Sequence, residues 1–234
     1  MSPLVLKLGG SLAESGRLRT TLALVMRARR PVVVVPGGGP FADAVREAQA
    51  DLGFSDAAAH DMALAAMHQM AAAMTDLAPR LVAADTRRAM VRAWRERRIP
   101  VWLPARLCGG DKTIPRDWSI TSDGLAARLA ERLGGAEVAL LKSCAVPRGA
   151  APETLAALGI VDPVFPAIVE RASLAWHVLG PGEGATLAAL IDAKGQAPDA
   201  LWIGGPLAKR RRPRSLVNAS RKDTRSCRAS SRPS

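Results

Sequence analysis

The chain has 234 residues, of which 48% are hydrophobic, 23% charged and 3% aromatic, so it can form a compact core and is not disordered throughout. It has no apolar run near the about 18 residues of a membrane helix, no signal-peptide pattern and three cysteines without a CxxC pair, so we expect a cytoplasmic protein without disulfides. Of the net charge of +12, residues 207–234 carry +9, from ten Lys/Arg and one Asp, and the other 206 residues carry +3.

The basic segment 207–234 is predicted to be a disordered tail that follows a folded domain at 1–206. It has almost no apolar periodicity and is rich in Arg and Ser, which is typical of chains that cannot bury a core. Two other interpretations stay open: an arm attracted to RNA or to a membrane surface, and the product of an altered reading frame. Because the charge lies in the tail, we expect neither a nucleic-acid partner nor a membrane partner.

Within residues 1–206, short apolar runs alternate with Ala- and Arg-rich segments of helical character. In chain order, the pattern predicts a strand at 4–8, a helix at 17–29, a strand at 31–36, helices at 41–52 and 55–77, a strand at 81–84, a helix at 86–97, a strand at 100–104, a helix at 122–133, and strands at 138–141 and 174–179. Such alternation favours an α/β sandwich with a mainly parallel central sheet.

Two glycine-rich segments follow the first two long predicted strands. The first contains Lys7, Gly9, Gly10 and Ser11, and the second, which opens a helix, contains Gly37, Gly38 and Gly39. Glycine lets backbone N–H groups approach an anion closely, and a helix amino terminus adds a favourable field for phosphate. Neither segment has the GxxxxGK(S/T) or GxGxxG pattern, so the pair predicts a phosphate site outside those two classes.

The segments KLGGS and VVPGGG, with the later TSD at 121–123, resemble the amino acid kinase family, and the resemblance extends over roughly residues 4–193. It implies a three-layer αβα sandwich and an ATP-dependent kinase. The phosphoryl acceptor would bind in the N-terminal half, and ATP with Mg²⁺ in the C-terminal half. Such chemistry relies on positioning and charge neutralisation, so no covalent nucleophile and no metal-ligating side chain is implied.

The resemblance also assigns roles to individual residues. Lys7 would bridge the transferring phosphoryl group, and Asp123 would organise the lysines. Lys142 would contact the nucleotide phosphates as a second lysine, or would simply end a strand. The glycine segments would divide the two substrates: the ATP phosphates would bind at Gly9, Gly10 and Ser11, and the acceptor at Gly37, Gly38 and Gly39.

One segment departs from the family pattern. Many relatives carry an Asp-Val-Asp-Gly-like segment near the nucleotide, whereas this chain has KSCAVP at 142–147. The segment contains neither acid and no glycine, so we expect its nucleotide contacts to differ from those of such relatives.

The acceptor is predicted from the helix at 55–77. In the family's layout His60 faces the loop after Gly39, and an imidazole can donate a hydrogen bond to a phosphate. The segments 60–63 and 117–123 resemble the small kinases of methanofuran or methylofuran biosynthesis. Such enzymes phosphorylate an aminomethylfuran-methyl phosphate to the diphosphate. The family habit also implies a homo-oligomer, and Met67, Met70 and Met74 have the spacing of core or subunit-interface residues.

Three alternatives stay open. One is a kinase for a carboxylate or carbamate acceptor, for which Arg46 or Arg80 could serve as a clamp. Another is a non-catalytic member of the fold that binds a nucleotide or an anion, which the KSCAVP segment favours. The third is a nucleic-acid-binding protein that acts through its tail, whose binding would weaken steeply with salt.

Overall fold

The computed structural model describes residues 3–192. Its centre is a six-stranded sheet in which every pairing is parallel and the strand order is β3-β4-β2-β1-β5-β6. The strands are β1 (Leu4–Leu8), β2 (Val32–Pro36), β3 (Leu81–Ala84), β4 (Ile99–Trp102), β5 (Glu137–Leu141) and β6 (Trp176–Leu179). The predicted strands therefore lie where the sequence placed them, to within a few residues at their ends.

Helices connect the strands and cover both faces of the sheet. They are α1 (Ser11–Glu14), α2 (Leu18–Val25), α3 (Gly39–Leu52), α4 (Asp56–Leu77), α5 (Arg87–Arg95), α6 (Ala105–Gly109), α7 (Ser122–Arg132), α8 (Pro152–Ala157), α9 (Phe165–Arg171) and α10 (Gly184–Asp192). None of the helices within residues 3–192 is long and apolar enough to cross a membrane.

The two faces of the sheet carry separate hydrophobic cores. On β1, Leu4, Leu6 and Leu8 pack with α2 and α10 on one face, while Val5 belongs to the core with α5, α7 and α9 on the other. This alternation follows from the two-residue period of a strand. Because Lys7 shares the parity of Val5, its side chain extends toward α7, which carries Asp123.

The longest helix shows how local sequence sets the boundaries. Ser55 caps α4 by accepting a hydrogen bond from the Ala58 N–H at 3.3 Å, and the helix ends at Leu77, two residues before Pro79. Met67, Met70 and Met74 are buried within this chain, so their spacing is explained by its own core.

The predicted helix at 17–29 is longer than the observed α2, which ends at Val25. Met26 to Ala28 turn away from the helix and are followed by Arg30, whose side chain pairs with Glu137 of β5. The sequence did not predict α10 or the short helices α1, α6, α8 and α9. The predicted tail at 207–234 and its boundary at residue 206 lie outside the described residues.

Candidate active site

The two glycine loops touch each other at the carboxyl ends of β1 and β2. A Cβ atom on Gly10 would lie 2.1 Å from the Cα of Gly39, and one on Gly37 would lie 2.5 Å from the backbone nitrogen of Gly10. Neither position can carry a side chain without moving the other loop. Gly39 also has a φ of +55°, a left-handed conformation that glycine adopts without strain.

This contact brings backbone polar groups and a helix end to one place. The 14-residue helix α3 begins at Gly39, so its amino terminus opens directly from the second loop. The unpaired N–H groups at such a terminus favour an anion. The adjoining loops therefore suit a phosphate group.

Beside the glycine loops lies a cluster of buried charges. The Nζ atom of Lys7 lies 2.8 Å from Oδ1 of Asp123, and Lys142 forms an ion pair with Oδ2 of the same carboxylate. The three side chains are 8%, 5% and 13% exposed, respectively for Lys7, Asp123 and Lys142. One buried carboxylate thus holds two ammonium groups next to backbone that suits a phosphate group.

The pKa of Asp123 is lowered by this arrangement. Burial alone would raise the pKa, but the positive charges of Lys7 and Lys142 outweigh it. The pKa of Lys142 is also lowered, first by burial and then by Lys7, while Asp123 opposes the shift. The negative charge of Asp123 therefore supports the ammonium form of its partner.

A residue that the sequence did not point to completes this region. Asp162 precedes α9 and is 8% exposed. Its carboxylate accepts hydrogen bonds of 2.7 Å each from the Thr121 N–H, the Thr121 hydroxyl and the Gly124 N–H. It therefore binds the start of α7, the segment that carries Asp123.

A cavity of about 220 Å³ opens beside the glycine loops. Its walls come from α1, α3, α4, α7 and the segment before α7. The apolar part of the wall includes Leu64, Met67 and Ile120. The polar part consists of Glu14, Asp43, Arg46, His60, Trp118, Thr121 and Ser122, together with Gly10, Ser11, Gly37, Gly38 and Gly39.

His60 lies on α4 and is 5% exposed. It lines the same cavity as the glycine loops, as predicted for the substrate histidine. Burial is the main reason that the pKa of His60 is lowered, although Asp61 opposes the shift. The neutral imidazole is therefore favoured in the structure, and one of its nitrogens can donate a hydrogen bond.

Trp118 forms another wall of the cavity and is fixed from α3. Its indole N–H donates a hydrogen bond of 2.6 Å to the Gln49 side chain, and the Arg46 guanidinium lies 4.4 Å from the centre of its ring. Arg46 is in turn paired with Asp43 at 2.6 Å. The contact between Trp118 and Gln49, which joins residues 69 positions apart, was not predicted from the sequence.

A second groove, of about 380 Å³, lies at the carboxyl ends of β5 and β6. Leu141, Leu179, Gly180, Glu183 and Arg17 are among its lining residues. Most of these residues belong to the C-terminal half of the chain, where the resemblance predicted ATP. Three glycines, at 180, 182 and 184, also line the groove.

The unusual KSCAVP segment supplies contacts at this edge. Lys142 pairs with Asp123, and the Ser143 hydroxyl donates a hydrogen bond of 2.9 Å to the Ser11 hydroxyl. A Cβ atom on Gly180 would lie 3.2 Å from the Cys144 carbonyl oxygen, so the segment packs against the loop after β6. The departure from the family pattern thus coincides with a second lysine at the site.

The structure brings the ten predicted site residues together at the carboxyl end of the sheet. A Cβ atom added to Gly9 would lie 3.1 Å from the Nζ atom of Lys7, so the first loop adjoins the charge cluster. By contrast, Arg80 precedes β3 at the amino end of the sheet, where its guanidinium donates hydrogen bonds to the backbone carbonyls of Ala28 and Arg97. Of the two candidate carboxylate clamps, only Arg46 reaches the cavity.

The sequence profile of the amino acid kinase family matches residues 2–145. Since this is more than half of the chain, the protein belongs to the amino acid kinase family, and the family prediction is confirmed.

A more specific similarity is to a single enzyme. The chain is 26% identical over 136 residues to the (5-(aminomethyl)furan-3-yl)methyl phosphate kinase of Methanocaldococcus jannaschii. The matched region is 57% of this chain and 62% of that relative, which is less than two thirds of its length.

Solved structures bear out the fold. The uridylate kinase of Archaeoglobus fulgidus has a TM-score of 0.57 at 19% identity, and the match covers 82% of this chain and 95% of that one. The UMP kinase of Ureaplasma parvum has a TM-score of 0.58 at 12% identity, covering 83% and 96%. The prediction of an αβα sandwich with a parallel central sheet is confirmed.

Proposed function

We propose that this protein is an ATP-dependent kinase whose acceptor is already a phosphate, of the aminomethylfuran-methyl phosphate kind. The observation that carries the proposal is the contact between the two glycine loops beside the cluster of Lys7, Asp123 and Lys142. Backbone N–H groups and two ammonium groups meet there, and a cavity opens beside the same glycine loops. The family membership and the similarity to the furan phosphate kinase support it.

In this proposal the protein acts by position and charge. ATP supplies the γ-phosphoryl group, and an oxygen of the acceptor phosphate bonds to it as the bond to the ADP oxygen breaks. Lys7 and Lys142 neutralise the charge on the oxygens that move between donor and acceptor. Asp123 holds both ammonium groups, and the backbone of Gly10 and Gly37 fixes the phosphates.

Mg²⁺ is expected to accompany ATP. Both oxygens of Asp123 are engaged by lysines, and residues 3–192 contain no group of three His, Cys, Asp or Glu side chains arranged to hold a metal ion. Mg²⁺ commonly binds through substrate phosphates and few carboxylates. We therefore expect the nucleotide to carry it, in the groove at the ends of β5 and β6.

The side chains of the cavity favour an acceptor that also bears an amine. Glu14 and Asp43 place two carboxylates on the wall of the cavity that the glycine loops also line, while Arg46 supplies one compensating charge. A purely anionic acceptor would be repelled by the remaining carboxylate, whereas an ammonium group would be attracted to it. The flat ring of Trp118 offers an apolar wall for a ring of the acceptor.

The same observations weigh against a carboxylate or carbamate acceptor. Such a group calls for a free arginine clamp, but Arg46 is paired with Asp43 at 2.6 Å and Arg80 is far from the cavity.

A homo-oligomer and a cytoplasmic location remain predictions, to be measured by light scattering and by fractionation.

The first experiment is an acceptor panel with the full chain, ATP and Mg²⁺. It includes the aminomethylfuran phosphate, the same compound with a methyl group in place of the aminomethyl group, uridylate, isopentenyl phosphate and acetylglutamate. We expect diphosphate formation from the aminomethyl compound, with kcat/KM about tenfold or more above that of its methyl analogue. Preference for acetylglutamate, or no turnover of any acceptor, would overturn the proposal.

A His60→Gln variant sharpens this panel. Glutamine keeps a donor but not the imidazole geometry, so we expect KM for the furan phosphate to rise about tenfold and KM for ATP to change less than twofold. Equal weakening of both substrates would place His60 outside the acceptor site.

A further inference from the structure

Trp118 lies on the wall of the cavity beside the glycine loops, whereas the other tryptophans that the structure describes do not. Trp94 and Trp102 are buried in the core on one face of the sheet, and Trp176 packs against the ring of Phe165 with 6.4 Å between the ring centres. In the described part of the chain, no other Phe or Trp side chain lines this cavity. Trp118 therefore offers the cavity its one large flat ring.

The chain around Trp118 is anchored to the core by other residues. Ile114 and Ile120 are 6% and 3% exposed and belong to the hydrophobic core that includes α7. Asp111, which comes just before them, pairs with Arg128 of α7 at 2.7 Å. Trp118 itself belongs to neither hydrophobic core, so core packing does not explain why this position carries a large ring.

The indole of Trp118 is oriented from α3 by a fully used amide. The amide nitrogen of Gln49 donates hydrogen bonds to the Phe54 carbonyl at 3.2 Å and to the Asp56 carboxylate at 2.8 Å. Its amide oxygen is thereby left to accept the indole N–H of Trp118 at 2.6 Å. A flipped amide would set donor against donor and acceptor against acceptor, so only one orientation satisfies all three hydrogen bonds.

A second contact restricts the tilt of the ring. The Arg46 guanidinium lies 4.4 Å from the ring centre of Trp118, and Asp43 pairs with this guanidinium at 2.6 Å. The indole is thus held at its edge by Gln49 and over one face by Arg46. Such ordering costs side-chain conformational entropy, and a surface that is ordered in advance lowers the cost of ordering when a ligand binds.

We propose that Trp118 is a specificity-determining residue that selects acceptors with a flat conjugated ring, and that Gln49 is a positioning residue for its indole. The inference deepens the proposed function and rests on it for the identity of the acceptor. A ring stacked on the indole gains affinity that an aliphatic chain of the same carbon count does not gain, by about fivefold.

The test measures, by calorimetry and without ATP, the binding of two phosphate monoesters to the full chain. They are (furan-3-yl)methyl phosphate and 3-methylbutyl phosphate, which have equal numbers of carbon atoms and no amine. The aliphatic ester is the more hydrophobic, so a preference for the ring is not a general apolar affinity. We expect the parent protein to bind the ring ester about fivefold more tightly. Equal affinities, or no binding of the ring ester at millimolar concentration, overturn the inference.

Two variants separate a flat ring from apolar bulk. In Trp118→Leu we expect the two esters to bind equally, whereas in Trp118→Phe we expect at least a twofold preference for the ring ester to remain. A parent-like preference in Trp118→Leu overturns the inference. If Trp118→Leu does not fold, tryptophan emission decides: the ring ester must change the emission of the parent protein and not that of Trp118→Phe, and any other result overturns the inference.

Gln49→Leu tests the positioning role, because it removes the acceptor for the indole N–H and keeps the side-chain bulk. We expect the preference for the ring ester to fall to about twofold, with the affinity for 3-methylbutyl phosphate changed less than twofold. Gln69→Leu is the matched control, since Gln69 is exposed on α4 and does not line the cavity. Equal weakening of both esters in Gln49→Leu overturns the positioning role.

The binding readouts keep this inference distinct from the proposed function. If the parent protein phosphorylates no acceptor of the panel while the ring preference is present and is lost in Trp118→Leu, the proposed function fails and the ring selection stands. If the aminomethylfuran phosphate is turned over while the parent protein binds both esters equally, the ring selection fails and the proposed function stands.

Discussion

Buried charges lie at both ends of the central sheet, but they are arranged differently. At the amino end, Glu137 of β5 accepts a hydrogen bond from His177 of β6 at 2.8 Å and pairs with Arg30 at 2.6 Å. Arg30 also donates to the Leu190 carbonyl at 3.3 Å. This cluster joins strands β5 and β6 to the start of β2 and to α10.

At the carboxyl end, Lys7, Lys142 and Asp123 form a buried cluster next to the glycine loops, and a cavity of about 220 Å³ opens beside those loops. The Asp123 carboxylate holds both lysines next to glycine backbone that suits an anion. Burial and pairing alone therefore do not mark a functional charge in this protein. The functional charge is an ammonium group that lies next to glycine backbone, where no side chain blocks the approach of an anion.

The largest effect is expected from Lys7→Met, which keeps most of the side-chain volume and removes the charge. We expect kcat to fall about 1,000-fold, since a charge that meets the transition state is lost. Lys142 still pairs with Asp123 in this variant, which limits the loss of stability. Lys112→Met serves as the matched control, because Lys112 is exposed and outside the cluster. Equal kcat values in the two variants would contradict the role of Lys7.

The next effect is expected from Gly10→Ala, which tests the glycine contact rather than a charge. The new methyl group would meet Gly39 at 2.1 Å, so one loop must move, and we expect kcat/KM to fall about 100-fold with a lower Tm. The control is Gly109→Ala, where a Cβ atom has no neighbour within 4 Å. Wild-type kinetics in Gly10→Ala would mean that the loops do not position the phosphates.

The sequence predicted the fold well because each strand carries its own signal. The run PVVVVP is β-branched and bounded by prolines, and its strand is fully buried in the structure. Lys7 lies near the carboxyl end of β1, and Gly10 and Gly37 follow β1 and β2, so a parallel sheet brings all three to the same end. The proposal that they bind phosphate rests on the family resemblance and on their geometry together.

The remainder of the site could not be found in this way. Asp162 lies 41 positions after Thr121, and nothing in the segment VDPVF indicates that its carboxylate turns back to α7. The Trp118–Gln49 contact spans 69 positions, and no sequence pattern indicates it either. Short helices such as α8 and α9 have too few residues to show a helical period.

The smallest effect is expected from Glu137→Gln, which tests the amino end of the sheet. The hydrogen bond from His177 is the main reason that the pKa of Glu137 falls from 4.5 to about 2, and Arg30 contributes further. Because the folded-state pKa lies below the unfolded one, this group stabilises the fold fully above pH 4.5, and the contribution is lost as the pH falls toward 2.

Glu137→Gln should therefore lower the free energy of unfolding at pH 7 by about 2 kcal/mol, a figure discounted for the partial exposure of His177. It should also flatten the decline in stability between pH 4.5 and pH 2, while kcat stays within twofold of the parent value. Urea denaturation at several pH values measures the first two outcomes. Asp192→Asn is the control, since its pair with Arg29 is 59% and 78% exposed and should contribute little. A loss of kcat without a loss of stability in Glu137→Gln would reverse the comparison between the two ends of the sheet, because the amino-end charges would then serve the reaction and not the fold.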